Sequence, residues 1–275
     1  MVAPRARRAM ARFACSLGVS ARRACWLCST TRSALHYRSK QQRRDRHVVR
    51  ALRIIARHNP AWGYRLAHGL LRLRSWSINQ KRVYRLWRLA GLALPPYRPS
   101  RKIKTGERLD RKAQTRNDVW AWDFVHDSYA VGHQFRCLTV KDEATAFCLQ
   151  IEVGTSIRNG DVGAVLKKLI ARYGRPKAIR SDNGPELVAT ELRKCLANEG
   201  IDHLRIVPGK PWQNGSNESF NGTFRKECLN AELFGSLMEA QVVIEQWRRR
   251  YNQNRPHSNQ GYITPEMAYF GHRQL

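Results

Sequence analysis

Charge is divided so unevenly along this chain that a single uniform globule is excluded. Residues 1–115 hold 29 Lys and Arg against 3 Asp and Glu, a net of +26, whereas residues 116–275 hold 21 against 18, a net of +3. Like charges at the first density repel one another in any compact state unless a polyanion is close by. The front is therefore expected to meet nucleic acid, and the near-neutral back to hold the main core and the chemistry. With 275 residues, 42% of them hydrophobic, the chain has room for one sizeable domain and one or two small ones.

Seven scattered cysteines form no pairing framework and no apolar signal segment precedes them, which points to free thiols in a reducing cytoplasm. The Arg-rich start (Arg5, Arg7, Arg8, Arg12) is not read as a transit peptide, because basic residues continue to residue 115. No apolar run approaches the roughly twenty residues of a membrane span.

Within the basic front, Val19–Tyr37 reads as two short helices, capped by Ser20 and Thr31 across a turn near Cys28–Thr30, a helix-turn-helix spacing. Arg32 and Arg38 fall on or beside its second helix, where such motifs approach a groove. Val48, Leu52 and Ile55, then Leu66, Leu70 and Leu73, recur at helical spacing. Asn79 then caps a helix that Gly91 ends, with Val83, Leu86 and Ala90 on its apolar stripe and Lys81, Arg85 and Arg88 opposite. A solvated face normally mixes signs, so this wholly cationic one is assigned to DNA phosphates. Pro95–Arg116 has no apolar period and reads as a basic, Pro-containing linker.

From residue 118 the pattern turns to strands: Val119–Val125, Phe135–Val140 and Ala146–Val153, separated by Gly132 and by the charges Lys141–Glu143 read as a turn. A helix at Asp161–Tyr173, a strand at Lys177–Arg180, a helix at Glu186–Asn198, a strand at Asp202–Ile206 and helices at Ser216–Leu229 and Met238–Tyr251 follow. The expected fold class is α/β: a mixed five-stranded sheet flanked by helices, preceded by an all-α region. The expected units are 1–46 and 47–94 (helical), 95–116 (linker), 117–235 (sheet domain) and 236–275 (C-terminal helix and tail).

Three carboxylates stand out in this half. Asp123 interrupts the apolar strand Trp120-Ala-Trp-Asp-Phe124; Asp182 follows a strand, in Ser181-Asp-Asn-Gly-Pro185, where open α/β sheets place ligands; Glu218 lies on a helix. Singly these read as a partly exposed strand position, a plain turn and an ordinary exposed helical residue. On the helix, however, Asn214, Glu218, Asn221 and Arg225 share one narrow face, with Phe220, Phe224 and Cys228 beside it.

Together with Trp122-Asp-Phe124 and Ser181-Asp-Asn-Gly184, the segment Pro208-Gly-Lys-Pro-Trp-Gln-Asn-Gly215 leading into Glu218-Ser-Phe-Asn-Gly222 resembles the DDE transposases of the IS3 family of bacterial insertion sequences, relatives of retroviral integrases. The 35 residues between Asp182 and Glu218, with Arg225 seven beyond, match the D,D(35)E pattern. The likeness extends to Gly63-Tyr-Arg65, Lys81-Arg-Val-Tyr-Arg-Leu86, Arg255-Pro-His-Ser258 and Gly261-Tyr-Ile-Thr-Pro265. It implies an RNase H-like core with two Mg2+ ions (Mn2+ substituting) on Asp123, Asp182 and Glu218, cutting and joining DNA at element ends. It further implies DNA contacts from Asn183, Lys210, Asn214, Asn221 and Arg225, action as a homo-oligomer on DNA, and production as a second reading frame (OrfB type) that works with or fused to a first-frame (OrfA-type) partner. Ser29 stands where relatives often carry Gly at the first turn.

Cys25-Trp-Leu-Cys28 suggests zinc, but no close His pair accompanies it, and spacing i, i+3 on a helix suits a small apolar core better. Two rivals to a transposase are weighed: a noncatalytic DNA-binding regulator, disfavoured by the intact triad, and a structure-selective nuclease, disfavoured by the +26 front.

Overall fold

The computed structural model describes residues 2–37, 41–95, 113–130, 132–182, 184, 190–206 and 214–271. The chain divides into two compact units, residues 1–51 and 52–275.

The first unit begins with α1 (Pro4–Ser16), α2 (Ala21–Leu27) and α3 (Arg32–His36). Ser20 and Thr31 cap as the sequence suggested, Ser20 Oγ accepting from Arg23 N and Thr31 Oγ1 from Ala34 N. α1 is an addition to the two expected helices: Pro4, with its φ already set for a first turn, starts it, and Ala11 is its single buried residue. Ala11, Ala24, Cys25 and Leu35 form the core, with Cys15 and Cys28 against it, so the two Cys of the Cys-x-x-Cys pair serve packing. Ser29 adopts φ 47° at the turn, the left-handed conformation in which Gly is least strained.

α4 (Gln41–His58) is divided by the boundary between units. In the second unit α5 (Tyr64–Leu73) and α6 (Gln80–Leu89) pack on one another, and Asn79 Oδ1 caps α6 at Lys81 N, 2.8 Å away. The sheet follows: β1 (Val119–Ser128), β2 (Gln134–Asp142), β3 (Cys148–Gly154), α7 (Asn159–Tyr173), β4 (Ala178–Ser181), α8 (Thr190–Asn198), β5 (Asp202–Arg205), α9 (Gly215–Glu227), α10 (Leu237–Asn254) and α11 (Pro265–Phe270). The strand order is β3-β2-β1-β4-β5. β1, β2 and β3 are antiparallel neighbours, while β4 runs parallel to both β1 and β5. This is the mixed five-stranded sheet that the pattern of strands and helices predicts.

Strand alternation divides the core into two layers. Trp120, Trp122, Leu138 and Val140 face α7 and α8, whereas Val125, Cys137, Ile151 and Val153 face α9 and α10 through Phe220, Phe224, Ile244 and Trp247. α10 also fastens edge strand β3 by a stripe of polar side chains. Gln241 donates to Val153 O, Arg248 to Cys148 O and Leu149 O, and Asn252 bonds Cys148 at both N–H and C=O.

One expectation is corrected. Lys141 and Asp142 end β2 and are buried, at 4% and 0% exposure, instead of forming a turn. The reversal lies just beyond, where Asp142 Oδ1 accepts from both N–H and Oγ1 of Thr145 and Ala146 takes φ 60°. β3 consequently starts at Cys148, two residues after the expected Ala146.

The tail returns across the unit. Tyr269 of α11 stacks on Phe147 at 4.6 Å and donates to Asn117 Oδ1 at 2.8 Å. At α5, a Cβ on residue 69 would lie 2.8 Å from Tyr262 and 2.9 Å from Pro256, so only Gly69 admits that approach.

Candidate active site

Period-two alternation on β1 sends Trp120, Trp122 and Phe124 to the α7 layer and therefore Asp123 to the α9 layer. There α9 meets it. Asn221 Nδ2 donates to Asp123 Oδ2 at 2.8 Å and Asn214 Nδ2 to the same oxygen at 3.4 Å, while Phe124 N donates to Oδ1 at 2.9 Å. One turn further along, Arg225 donates to His126 O at 2.8 Å. The stripe Asn214–Glu218–Asn221–Arg225 thus lies along β1, with Glu218 in its middle and exposed to solvent.

Asp182 follows β4 directly, two residues beyond Arg180, which pairs with Ala121 of β1. Parallel pairing carried two residues on puts Asp182 level with Asp123 on the neighbouring strand. Its Oδ1 accepts from Gly184 N at 3.1 Å, and Ser181 Oγ, 2.8 Å from His203 Nε2, donates to Asp182 O.

Electrostatics ties the three acids together. Burial first, and then repulsion from Asp182 with a smaller part from Glu218, pushes the Asp123 carboxyl up to about 6, against the bonds from Phe124 N and Asn214. Among the described residues no three His, Cys, Asp or Glu side chains stand close enough to hold a metal ion, so the triad is a shared field and not a closed cage. The donor set nevertheless suits a hard divalent cation. All three are carboxylates, Asp123 is strained by like charge, and the buried Asn214 Oδ1 has no hydrogen-bond partner among the described residues.

Sequence reasoning missed Thr139, Lys141 and Asn217. Thr139 Oγ1 lies within hydrogen-bond distance of Asp123 O and Asn221 Oδ1, Lys141 Nζ donates to Ser216, and buried Asn217 donates to Trp122 O at 3.0 Å. A Thr and a Lys at alternate positions of an apolar strand were the available signal. Of the residues assigned to DNA, Lys81, Arg85 and Arg88 are exposed on α6 and Arg32 on α3. Asn214, Asn221 and Arg225 are engaged with β1 as described. Arg38, Asn183 and Lys210 lie outside the described residues.

Comparison with known proteins agrees with this architecture. Integrase core domain families match residues 113–211 and 199–265, and an HTH-like domain family matches residues 42–100. The 31.7 kDa protein of insertion element IS407 from Burkholderia multivorans is 37% identical over 94% of this chain and 93% of its own length. The 39.2 kDa protein of IS476 from Xanthomonas euvesicatoria is 39% identical over 95% of this chain and 75% of its own. Transposase InsD of IS2 elements from Escherichia coli is 26% identical over 81% and 80%. A chain in the simian T-cell lymphotropic virus intasome, solved with the PP2A regulatory subunit B56 gamma, shares the fold at a TM-score of 0.50 and 16% identity, covering 75% of this chain and 72% of its own. On the sheet order, the helical front and these relatives, the chain belongs to the IS3 family of insertion-element transposases, as an OrfB-type member with an integrase core.

Proposed function

We propose that this chain cuts and joins DNA strands at the ends of an insertion element, with Asp123, Asp182 and Glu218 as ligands of two Mg2+ ions. The observation that carries the reading is the setting of Asp123, held by amides of α9 and pushed up in pKa first by burial and then by Asp182, with a smaller part from Glu218. When bound, the divalent ions would supply the positive charge that a phosphoryl displacement needs at its attacking and leaving oxygens. Asn221 and Asn214 take up Oδ2 of Asp123 and Phe124 N takes one side of Oδ1, which leaves a lone pair on Oδ1 open towards a cation. Glu218, on the same face and exposed, is the adjustable member.

Residues 1–46 and 47–94 are assigned to binding the terminal inverted repeats, 95–116 to a basic linker, 117–235 to the catalytic core and 236–275 to its C-terminal support. Lys81, Arg85, Arg88, Arg32 and Arg38 would meet phosphates of the ends, and Asn183, Lys210 and Arg225 DNA near the carboxylates. Joining two ends to a target calls for at least two copies on the DNA.

The test is strand transfer with labelled element ends and Mg2+. Asp182→Asn should lower joining by about a thousand-fold or more, several kcal/mol of lost charge stabilisation; unchanged joining would sink the site assignment. Ends bound but never cut by the wild type, even with its first-frame partner supplied, would make the chain a regulator.

A further inference from the structure

Lys141 is a costly residue to keep. The residue is 4% exposed and burial lowers its pKa to about 8. It also sits at the first turn of α9, donating to Ser216 O at 2.6 Å and Ser216 Oγ at 2.9 Å, beside the positive end of that helix, where a cation is disfavoured. Phe220 lies next to it, its ring 5.6 Å from Nζ, a cation–π contact that with the nearby Glu143 and Asp142 offsets part of the burial cost. Those contacts do not cancel the burial cost, since the pKa still falls, and the placement of the lysine gives a second reason for it.

Thr139 and Lys141 are alternate residues on one face of β2, about 7 Å apart along the strand. On α9 their partners Asn221 and Ser216 are five residues apart, about 7.5 Å along the axis. Two bonds at matching spacing fix both the slide and the roll of a helix on a sheet. Asn217 and Arg225 hold the same helix on β1 through Trp122 O and His126 O, and the pair on β2 adds a second strand to that register. Glu218 lies between the two anchored positions, and slipping α9 by one residue would move it about 1.5 Å along the axis and 100° around it.

We propose that Lys141 is a positioning residue which, with Thr139, registers α9 on the sheet and so places Glu218 relative to Asp123 for metal binding. The inference rests on the reading of the three carboxylates as metal ligands. It is tested on the full chain with Mn2+ alone, following free Mn2+ by electron paramagnetic resonance, alongside thermal unfolding. Lys141→Met should weaken Mn2+ binding about ten-fold, as loss of groups that orient ligands does, without lowering the unfolding midpoint. Ser216→Ala should weaken it about three-fold, the worth of one net hydrogen bond. Wild-type affinity in folded Lys141→Met overturns the proposal, as does a loss that merely follows a fallen midpoint. If Lys141→Met does not fold, Thr139→Val, which keeps the side-chain shape and removes the other anchor, decides in its place, and wild-type affinity in it is fatal. Asp123→Asn separates the two levels. If it too binds Mn2+ normally, the metal reading fails and takes the positioning role with it; if it loses binding while Lys141→Met and Ser216→Ala do not, only the positioning role falls.

Discussion

A carboxylate on the central strand of a sheet loses most of its water, and among the described residues Asp123 regains stabilisation from Phe124 N and two asparagines of α9. Asn221 makes the shorter of the two amide bonds and is itself 3.3 Å from Thr139 Oγ1, so it is expected to orient the carboxylate. Asn221→Ala should reduce strand joining about ten- to a hundred-fold, in line with other groups that orient metal ligands, while the unfolding midpoint moves little; unimpaired joining would return Asn221 to ordinary packing. At this scale the sequence was informative where a residue broke a local pattern. Asp123 interrupts an apolar strand, and Asp182 and Glu218 stand at a recognisable spacing from one another. It was silent where the partner is remote. Lys141, Asp142 and Glu143 read as three charges in a turn, because nothing nearby reveals that Ser216, 75 positions on, receives the lysine or that Arg180 pairs with Glu143 at 2.9 Å.

α6 presents Lys81, Arg85 and Arg88 to solvent and buries Val83, Leu86 and Trp87. Each cation that meets a phosphate releases roughly one counterion, so changing all three to Ala should weaken binding to element ends and flatten its salt dependence by up to about three ions. Binding measured between low and moderate salt checks this, and an unchanged slope would leave α6 an ordinary surface helix. Elements with a strong apolar period or a clear cap, such as α6 and α9, were legible. α1 was not, since its Arg residues read only as binding charge, and Ala11 is its single buried residue. Nor could sequence show that Gln241, Arg248 and Asn252 of α10 cover the backbone of β3, an edge that would otherwise invite pairing with another chain.

Across residues 52–275 the C-terminal segment binds distant parts into one unit. His257 packs edge-on against Tyr251 at 5.1 Å, and burial, with Arg255 and Lys141 nearby, depresses its pKa to about 3. The unfolded chain protonates this imidazole near 6.5, before the folded one does. Its contribution is therefore intact above about pH 6.5 and is lost as pH falls towards 3. His257→Phe keeps a ring against Tyr251 and removes the proton, so its urea midpoint should fall less than the wild type's between pH 7 and pH 4.5. Parallel falls would show that His257 is not the sensitive group. Gly69, seated against Pro256 and Tyr262, gave no sequence sign of this role, because a helical glycine reads only as a weak point.

The stacking of Tyr269 on Phe147 has a bearing on how the chain is made. A ribosome adds roughly 5–20 residues each second, so the first unit and the helices after it can settle while the sheet still lacks the ring that closes its far layer. Newly made protein would pass through an interval in which its basic front is folded and its sheet is unfinished. On the proposed function, the basic front would meet DNA before the site for breaking a strand is complete.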